Sequence, residues 1–519
     1  MKKIVIDPIT RIEGHMKVEV TLDDGVVKDA KSCGVLFRGI ELILQGRDPR
    51  DANRITQRIC GVCPTAHSMA SALCLDDAFG VAESVPDNGR VMRNLILGSN
   101  YLQSHILHFY HLAALDYVDV TSVADYDGSD AELASVKDFI ARGELGPFAP
   151  RYEGDYRLSK EQNRAGVAHY LQALHIRRKT HELLSIFGGK MPHNCSIVPG
   201  GVTERPTVDK ITSFLWRLNE IRDFIDNVYI SDIIMVAGAY DDHFGIGRGC
   251  GNYLSYGVFD LKGAPAELKK KTRFLMPGTT NTKLERGTVD PEQITEQLKH
   301  SWYDDSLTNR HPSSGETAPK YPKDEAYSWI KSPRYGGKPY EVGPLARILV
   351  AYVQGHPVVK EAVDGLLGEL NARPEVLFSA LGRHAARALE TKLVADAMAE
   401  WVLQLRPGEP VYQGYDLPEE GTGVGMTGAP RGALGHWLQV KDGVISNYQA
   451  VVPTTWNASP RDDKDVPGPM EQAIIGTKVN DPENPFEIVR IVRSFDPCLA
   501  CSVHLMTPKR HSMRTMSVI

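Results

Sequence analysis

Apolar and polar residues alternate from Met16 to Leu22, with Val18, Val20 and Leu22 in phase, before Asp23-Asp24-Gly25 turns the chain into Val26-Val27. Period-two alternation around an Asp-Gly turn predicts a β-hairpin. Further along, the period changes. Between Arg90 and Leu115 the positions Val91, Leu95, Gly98, Leu102, His105, Phe109 and Leu112 recur at helical spacing, which predicts a long helix. Segments 66–79, 161–187, 208–235 and 375–405 read as helices too, the 208–235 stretch through Ile211, Phe214, Leu215, Leu218, Ile221, Ile225 and Val228. A second hairpin is predicted near the C-terminus, His436 to Val440, a Lys441-Asp442-Gly443 turn, then Val444 to Val452. From 275 to 345 Pro, Gly, Ser and charged residues dominate, as in His311-Pro312-Ser313-Ser314-Gly315, and composition alone reads this as loop or linker. Together these elements predict a mainly α fold with smaller β regions (α+β). A central long-helix bundle is flanked by small sheets, with the two termini at one core.

Composition narrows the class without naming a function. The chain has 519 residues, 42% hydrophobic and 24% charged, as in an ordinary soluble globular protein. A net charge of -6, with no basic cluster before the last residues, argues against nucleic acid as a partner. Met1 to Pro8 holds too short an apolar run for a secretory signal, and no stretch reaches the roughly 20 apolar residues of a membrane-spanning helix.

The candidate chemistry lies in cysteines. Of eight, four form two Cys-x-x-Cys pairs near opposite ends, Cys60-Gly61-Val62-Cys63 and Cys498-Leu499-Ala500-Cys501. Thiolates are soft ligands for nickel, iron, zinc or copper(I), and a two-residue gap lets both sulfurs of a pair face one ion. Zinc ribbons place their second pair within about 15–20 residues of the first, whereas most of this chain intervenes. Four thiolates on one ion would make a closed, structural zinc or rubredoxin-like iron site, and spacing alone leaves that reading open. Cys33, Cys74, Cys195 and Cys250 are scattered and are expected to be small buried thiols.

The residues around the pairs are more specific. Arg58-Ile59-Cys60-Gly61-Val62-Cys63-Pro64-Thr65-Ala66-His67 and Asp496-Pro497-Cys498-Leu499-Ala500-Cys501-Ser502-Val503-His504 closely resemble the two signatures of the nickel-iron hydrogenase large subunit. Asp7-Pro8-Ile9-Thr10-Arg11-Ile12-Glu13-Gly14-His15 resembles that family's opening motif, and Phe187-Gly188-Gly189-Lys190-Met191-Pro192-His193 its mid-chain motif. Ser332-Pro333-Arg334-Tyr335, Glu341-Val342-Gly343-Pro344, Gly428-Ala429-Pro430-Arg431-Gly432 and Val452-Pro453-Thr454-Thr455-Trp456-Asn457 extend the likeness in order along nearly the whole chain. On this resemblance the 275–345 stretch is expected to be ordered near the site. The respiratory, uptake-type group fits best, near its selenium-containing branch, with Cys498 where that branch has selenocysteine.

The resemblance implies a binuclear centre. Cys60 and Cys498 would be terminal nickel ligands, and Cys63 and Cys501 would bridge nickel to an iron that carries carbon monoxide and cyanide. Cys498 would take the proton from heterolytic H2 cleavage and Glu13 would relay it outward. Arg431 would place a fixed positive charge over the open metal position. His67 would donate to a bridging sulfur, with Asp496, Pro453 and Thr454 near the iron's diatomic ligands. A third metal, magnesium or iron, would be held by Glu41, His504 and the carbonyl of Ala450. Read without the family, Glu13 is an ordinary surface or salt-bridged glutamate and His67 a surface histidine.

The same resemblance divides the chain into a catalytic domain, 1–504, and a maturation peptide, 505–519, removed by an endopeptidase after nickel insertion with the help of chaperones. Cys33, Cys74, Cys195 and Cys250 make no iron-sulfur ligand pattern, so electrons must pass to an iron-sulfur small subunit in a heterodimer that can dimerise again. Co-export with that subunit implies a periplasmic location, with a cytoplasmic enzyme as the alternative. The rival functions are a non-catalytic scaffold like the quinone-site subunit of respiratory complex I, whose relatives lack the cysteine pairs, and a structural four-thiolate zinc protein.

Overall fold

The computed structural model describes residues 1–143, 148, 151, 154–263 and 265–502. His504 and the 505–519 segment therefore lie outside the described residues. At the N-terminus the expected hairpin forms from Met16–Asp23 and Val26–Gly34, and Lys2–Ile6 adds a third antiparallel strand at its edge. Met16, Val18, Val20 and Leu22 are buried, and their alternation gives the sheet one apolar face. That face packs with Ile474, Ile488, Ile491 and Val492 of two C-terminal helices, Pro469–Ile474 and Phe486–Ser494. Segments near both ends of the described residues thus share one hydrophobic core.

The centre is the expected bundle. Asp87–Leu107, Lys160–Gly188, Val208–Phe224 and Ala380–Val402 are its long helices, and Asp87–Leu107 packs against both Lys160–Gly188 and Ala380–Val402. Side-chain caps from Ser159, Thr207 and Ser379 satisfy N–H groups at three of their starts. The predicted helix at 208–235 contains a π-helical turn, Ile225–Tyr229, and continues as Ile230–Ala239. A second π turn, His108–Ala113, ends the helix expected from Arg90 to Leu115.

The C-terminal hairpin is larger than expected. Gly432–Lys441 and Val444–Val451 pair as predicted, and Gly421–Ala429 adds a third strand. The sheet lies directly on the Pro64–Ala78 helix. The approach is so close that a Cβ at Gly425 would stand 1.9 Å from the Ala70 carbonyl oxygen. Glycines in this strand therefore serve helix-sheet contact.

The 275–345 stretch is ordered, which corrects the linker reading from composition. Ile294–Gln297 pairs antiparallel with Ser332–Tyr335, and buried Arg334 bonds Asp462 at 2.9 Å. Glu296, Lys331 and Glu341 of the same stretch are also buried in ion pairs. Cys33 and Cys74 are buried as expected, but Cys195 is exposed and Cys250 partly so, because neither falls on a core-facing element. Among the described residues, no helix is long and apolar enough to cross a membrane.

Candidate metal centre

Cys60 and Cys63 sit in the turn that leads into the Pro64–Ala78 helix, with Cys63 at its N-cap and Pro64 in the first turn. Proline suits that position because its missing N–H would have had no helical partner. The backbone N–H groups of Val62 and Cys63 donate to Cys60 Sγ at 3.2 and 3.3 Å, so the loop curls around its own first sulfur. Asn100 and Gln103 of the long central helix donate to the Val62 carbonyl at 3.0 and 2.6 Å.

Cys498 and Cys501 follow the buried Phe486–Ser494 helix. Contacts from distant segments place them. Leu499 N–H donates to the Glu13 carbonyl at 2.8 Å, Ala500 N–H to Glu13 Oε2 at 2.9 Å, and Cys498 N–H to Thr454 Oγ1 at 3.0 Å. Beside Glu13, Gly14 has φ 81°, and a Cβ there would meet Leu499 Cβ at 2.7 Å. Arg38 joins the two loops, donating to the carbonyls of Arg58, Ile59 and Ala500 at 2.6, 2.7 and 3.2 Å.

The four sulfurs converge. All lie within 4.8 Å of one another and all four residues are buried. Cys60 and Cys498 Sγ are 3.3 Å apart, Cys63 and Cys501 3.4 Å, and Cys498 and Cys501 2.9 Å. These are free thiols and not disulfides, whose bonds are near 2.05 Å. Burial pushes the Cys498 and Cys501 thiols well above their ordinary range. Burial acts on Cys60 too, but hydrogen bonds among the sulfurs and the Arg431 charge outweigh it and bring Cys60 down. Four buried sulfurs cannot all ionise against one another without a cation, so the donor set fits soft metal ions.

Charged and hydrogen-bonding groups surround this cluster. Cys498 Sγ–H donates to Glu13 Oε2 at 3.1 Å. Glu13 is half-buried, and burial, with Cys60 adding, raises its carboxyl above the ordinary value. Arg431 donates from Nε to the Asp496 carbonyl at 2.9 Å and from Nη2 to Asp496 Oδ1 at 2.8 Å, and its Nη1 lies 3.3 Å from Ser104 Oγ. Burial opposes its charge, yet Asp496 and the cysteine sulfurs hold Arg431 protonated. His67 is buried, with Nε2 3.4 Å from Cys501 Sγ, so it is no surface histidine. Pro453 opens a short buried helix, Pro453–Asn457, that presents Thr454.

The comparisons with known proteins agree with this geometry. A family model described as nickel-dependent hydrogenase matches residues 38–504, and one described as HoxL-like matches 3–33. The chain belongs to the nickel-dependent hydrogenase large-subunit family. It is 45% identical to the periplasmic NiFeSe hydrogenase large subunit of Desulfomicrobium baculatum, over 97% of this chain and 95% of that one. The hydrogenase-1 large chain of Escherichia coli is 40% identical, over 97% and 95%. Among solved structures, the reduced Ni-Fe-Se hydrogenase of D. vulgaris Hildenborough superposes with a TM-score of 0.84 at 44% identity, over 97% of this chain and 100% of that one. This hydrogenase large subunit is therefore an oxidoreductase acting on hydrogen, and as a large subunit it works with a small one.

The expected third-metal residues are only partly brought together. Glu41 Oε1 accepts the Ala450 N–H at 2.9 Å, so the contact is through the amide and not the carbonyl. The Thr317 hydroxyl donates to Glu41 Oε2, and Lys331 Nζ lies 4.0 Å from the same oxygen and 3.1 Å from Glu296. The third expected ligand, His504, falls outside the described residues. Sequence reasoning missed Arg38, Ser104, Lys331, His436 and Tyr448. Arg38 and Ser104 lie inside stretches that resemble the family, Phe37-Arg38-Gly39-Ile40-Glu41 and Tyr101-Leu102-Gln103-Ser104-His105, whereas Lys331, His436 and Tyr448 meet their partners only through tertiary packing.

Proposed function

We propose that Cys60 and Cys498 would hold nickel and that Cys63 and Cys501 would be shared between nickel and an iron completed by carbon monoxide and cyanide. The observation that carries this reading is the convergence of four buried sulfurs beside the Glu13 carboxylate, whose Oε2 accepts a hydrogen bond from Cys498 Sγ–H. Nickel and iron, when bound, supply the Lewis acidity that polarises dihydrogen for heterolytic cleavage. Cys498 Sγ holds the released proton, and Glu13 Oε2, 3.1 Å away, receives it. A carboxyl raised by burial is suited to carry a proton for part of each cycle. Glu13 is followed by exposed Gly14 and His15, which gives the proton a short way out. Arg431, held by Asp496, keeps a fixed positive charge at the cluster, and the Thr454 hydroxyl fixes the Cys498 backbone. Pro453 and Asp496 line the iron side in this reading.

Glu41, the Ala450 carbonyl and His504 form a magnesium-type site in the same proposal, in which iron could take magnesium's place. The electrons leave through iron-sulfur clusters of the small subunit. The heterodimer is exported to the periplasm after an endopeptidase, aided by chaperones, removes residues 505–519. The test of the relay is Glu13→Gln in the complete heterodimer. Hydrogen-deuterium exchange is expected to fall by about 10²–10⁴-fold with nickel retained. Near-normal exchange would remove Glu13 from the relay.

A further inference from the structure

A chain of three hydrogen bonds leads from the cysteine cluster into the C-terminal sheet. Cys501 Sγ lies 3.4 Å from His67 Nε2, His67 Nδ1 lies 3.3 Å from His436 Nε2, and His436 Nδ1 lies 2.8 Å from the Tyr448 hydroxyl. All four side chains are buried. His67 belongs to the Pro64–Ala78 helix, whereas His436 and Tyr448 come from neighbouring strands of the sheet beneath it. The glycine-dependent closeness of helix and sheet is what lets the two imidazoles meet.

The chemistry of the groups fixes the direction of these bonds. A neutral imidazole has one donor and one acceptor nitrogen, and the bond made by one nitrogen decides the role of the other. A thiolate that holds a metal can only accept. His67 Nε2 must then carry the proton, so His67 Nδ1 accepts from His436 Nε2–H. His436 Nδ1 in turn accepts from the Tyr448 hydroxyl. Burial keeps that phenol protonated, since its pKa is pushed well above the ordinary range.

We propose that His436 and Tyr448 are positioning residues that hold His67 in the tautomer whose Nε2–H donates to Cys501 Sγ. The proposal rests on the reading of Cys501 as a metal ligand. A hydrogen bond to a ligand sulfur withdraws electron density from it, and partners behind the ligands commonly tune a metal in this way. His436 and Tyr448 therefore act on the centre through His67, at a distance and without touching it.

The experiment compares wild-type, Tyr448→Phe and His436→Gln holoenzymes, each purified with the small subunit. The readouts are nickel content, the infrared bands of iron-bound carbon monoxide and cyanide, and the nickel electron paramagnetic resonance g values. Both variants are expected to move the bands to lower wavenumber and to shift the g values, more in His436→Gln, while Tyr448→Phe keeps full nickel. A purely structural role would lower nickel content or stability and leave the spectra of the loaded enzyme in place. Unmoved bands and g values in nickel-replete Tyr448→Phe overturn the proposal, and this isosteric variant decides alone if His436→Gln fails to load. A wild-type enzyme without the diatomic bands would instead sink the proposed iron ligand set, with the g values still testing the tautomer.

Discussion

The two cysteine pairs have the same spacing and opposite modes of support. Cys60 and Cys63 are shaped by their own neighbourhood, a turn whose N–H groups close on Cys60 Sγ and a helix that starts at Pro64. Cys498 and Cys501 are seated by residues from far away in sequence: Glu13, Arg38, Arg431 and Thr454. The first pair is shaped mainly by its own turn, which Asn100, Gln103 and Arg38 brace from outside, and the second mainly by tertiary contacts. A site of this kind can be completed last, when the C-terminal segment docks.

The contrast can be broken most strongly at glycine. Gly14→Ala puts a Cβ 2.7 Å from Leu499 Cβ at a residue with φ 81°. Overpacking and left-handed strain together cost on the order of 3 kcal/mol, so nickel content is expected to fall while the Pro64–Ala78 helix stays folded. The matching change in the first pair, Gly61→Ala, meets nothing within 4 Å. It is expected to change stability by no more than about 0.5 kcal/mol and to leave nickel in place. Equal nickel contents in the two variants would erase the distinction.

The seam between the Pro469–Ile474 helix and the N-terminal sheet is expected to respond to pH. Glu471, in the Pro469–Ile474 helix, accepts hydrogen bonds from Ser32 N–H of the N-terminal sheet at 2.9 Å and from the Tyr327 hydroxyl at 2.9 Å. Burial raises its carboxyl from 4.5 to about 7. The folded state therefore binds more protons than the unfolded state between those values, and stability falls as pH rises from 4.5 through 7. The loss between pH 5 and 8 is on the order of 3 kcal/mol. Thermal unfolding should show it in the wild type and should be flatter with pH in Glu471→Gln. Identical pH profiles would show that this seam does not titrate.

A smaller effect sharpens the picture at Cys498 itself. Thr454→Val leaves the buried Cys498 N–H without its acceptor, which costs about 1–3 kcal/mol. Nickel affinity is expected to drop by about 10–100-fold, measured by competition with a chelator. An unchanged affinity would show that the Glu13 contacts alone seat the loop.

Much of the architecture was legible because its helices carry long periodic patterns, as from Val91 to Leu112. What escaped did so for physical reasons. The Lys2–Ile6 strand is an exposed edge with little apolar alternation, and Gly421–Ala429 looks like a loop because its glycines serve the approach of a helix. The charged 275–345 stretch resembles a linker, yet Arg334, Glu296 and Lys331 are buried in ion pairs that composition cannot reveal. At the site, the cysteines, Glu13, His67, Arg431 and Thr454 stood within recognisable motifs. His436 and Tyr448 did not, because their relation to His67 depends on strand pairing and on the height of the helix above the sheet.

In the proposed centre these four sulfurs hold nickel and iron together. Elemental analysis with infrared spectroscopy of the purified heterodimer tests it most directly. About one nickel per large subunit, with carbon monoxide and cyanide bands that disappear in Cys501→Ala, is the expected result. Zinc alone, with no such bands, would contradict it.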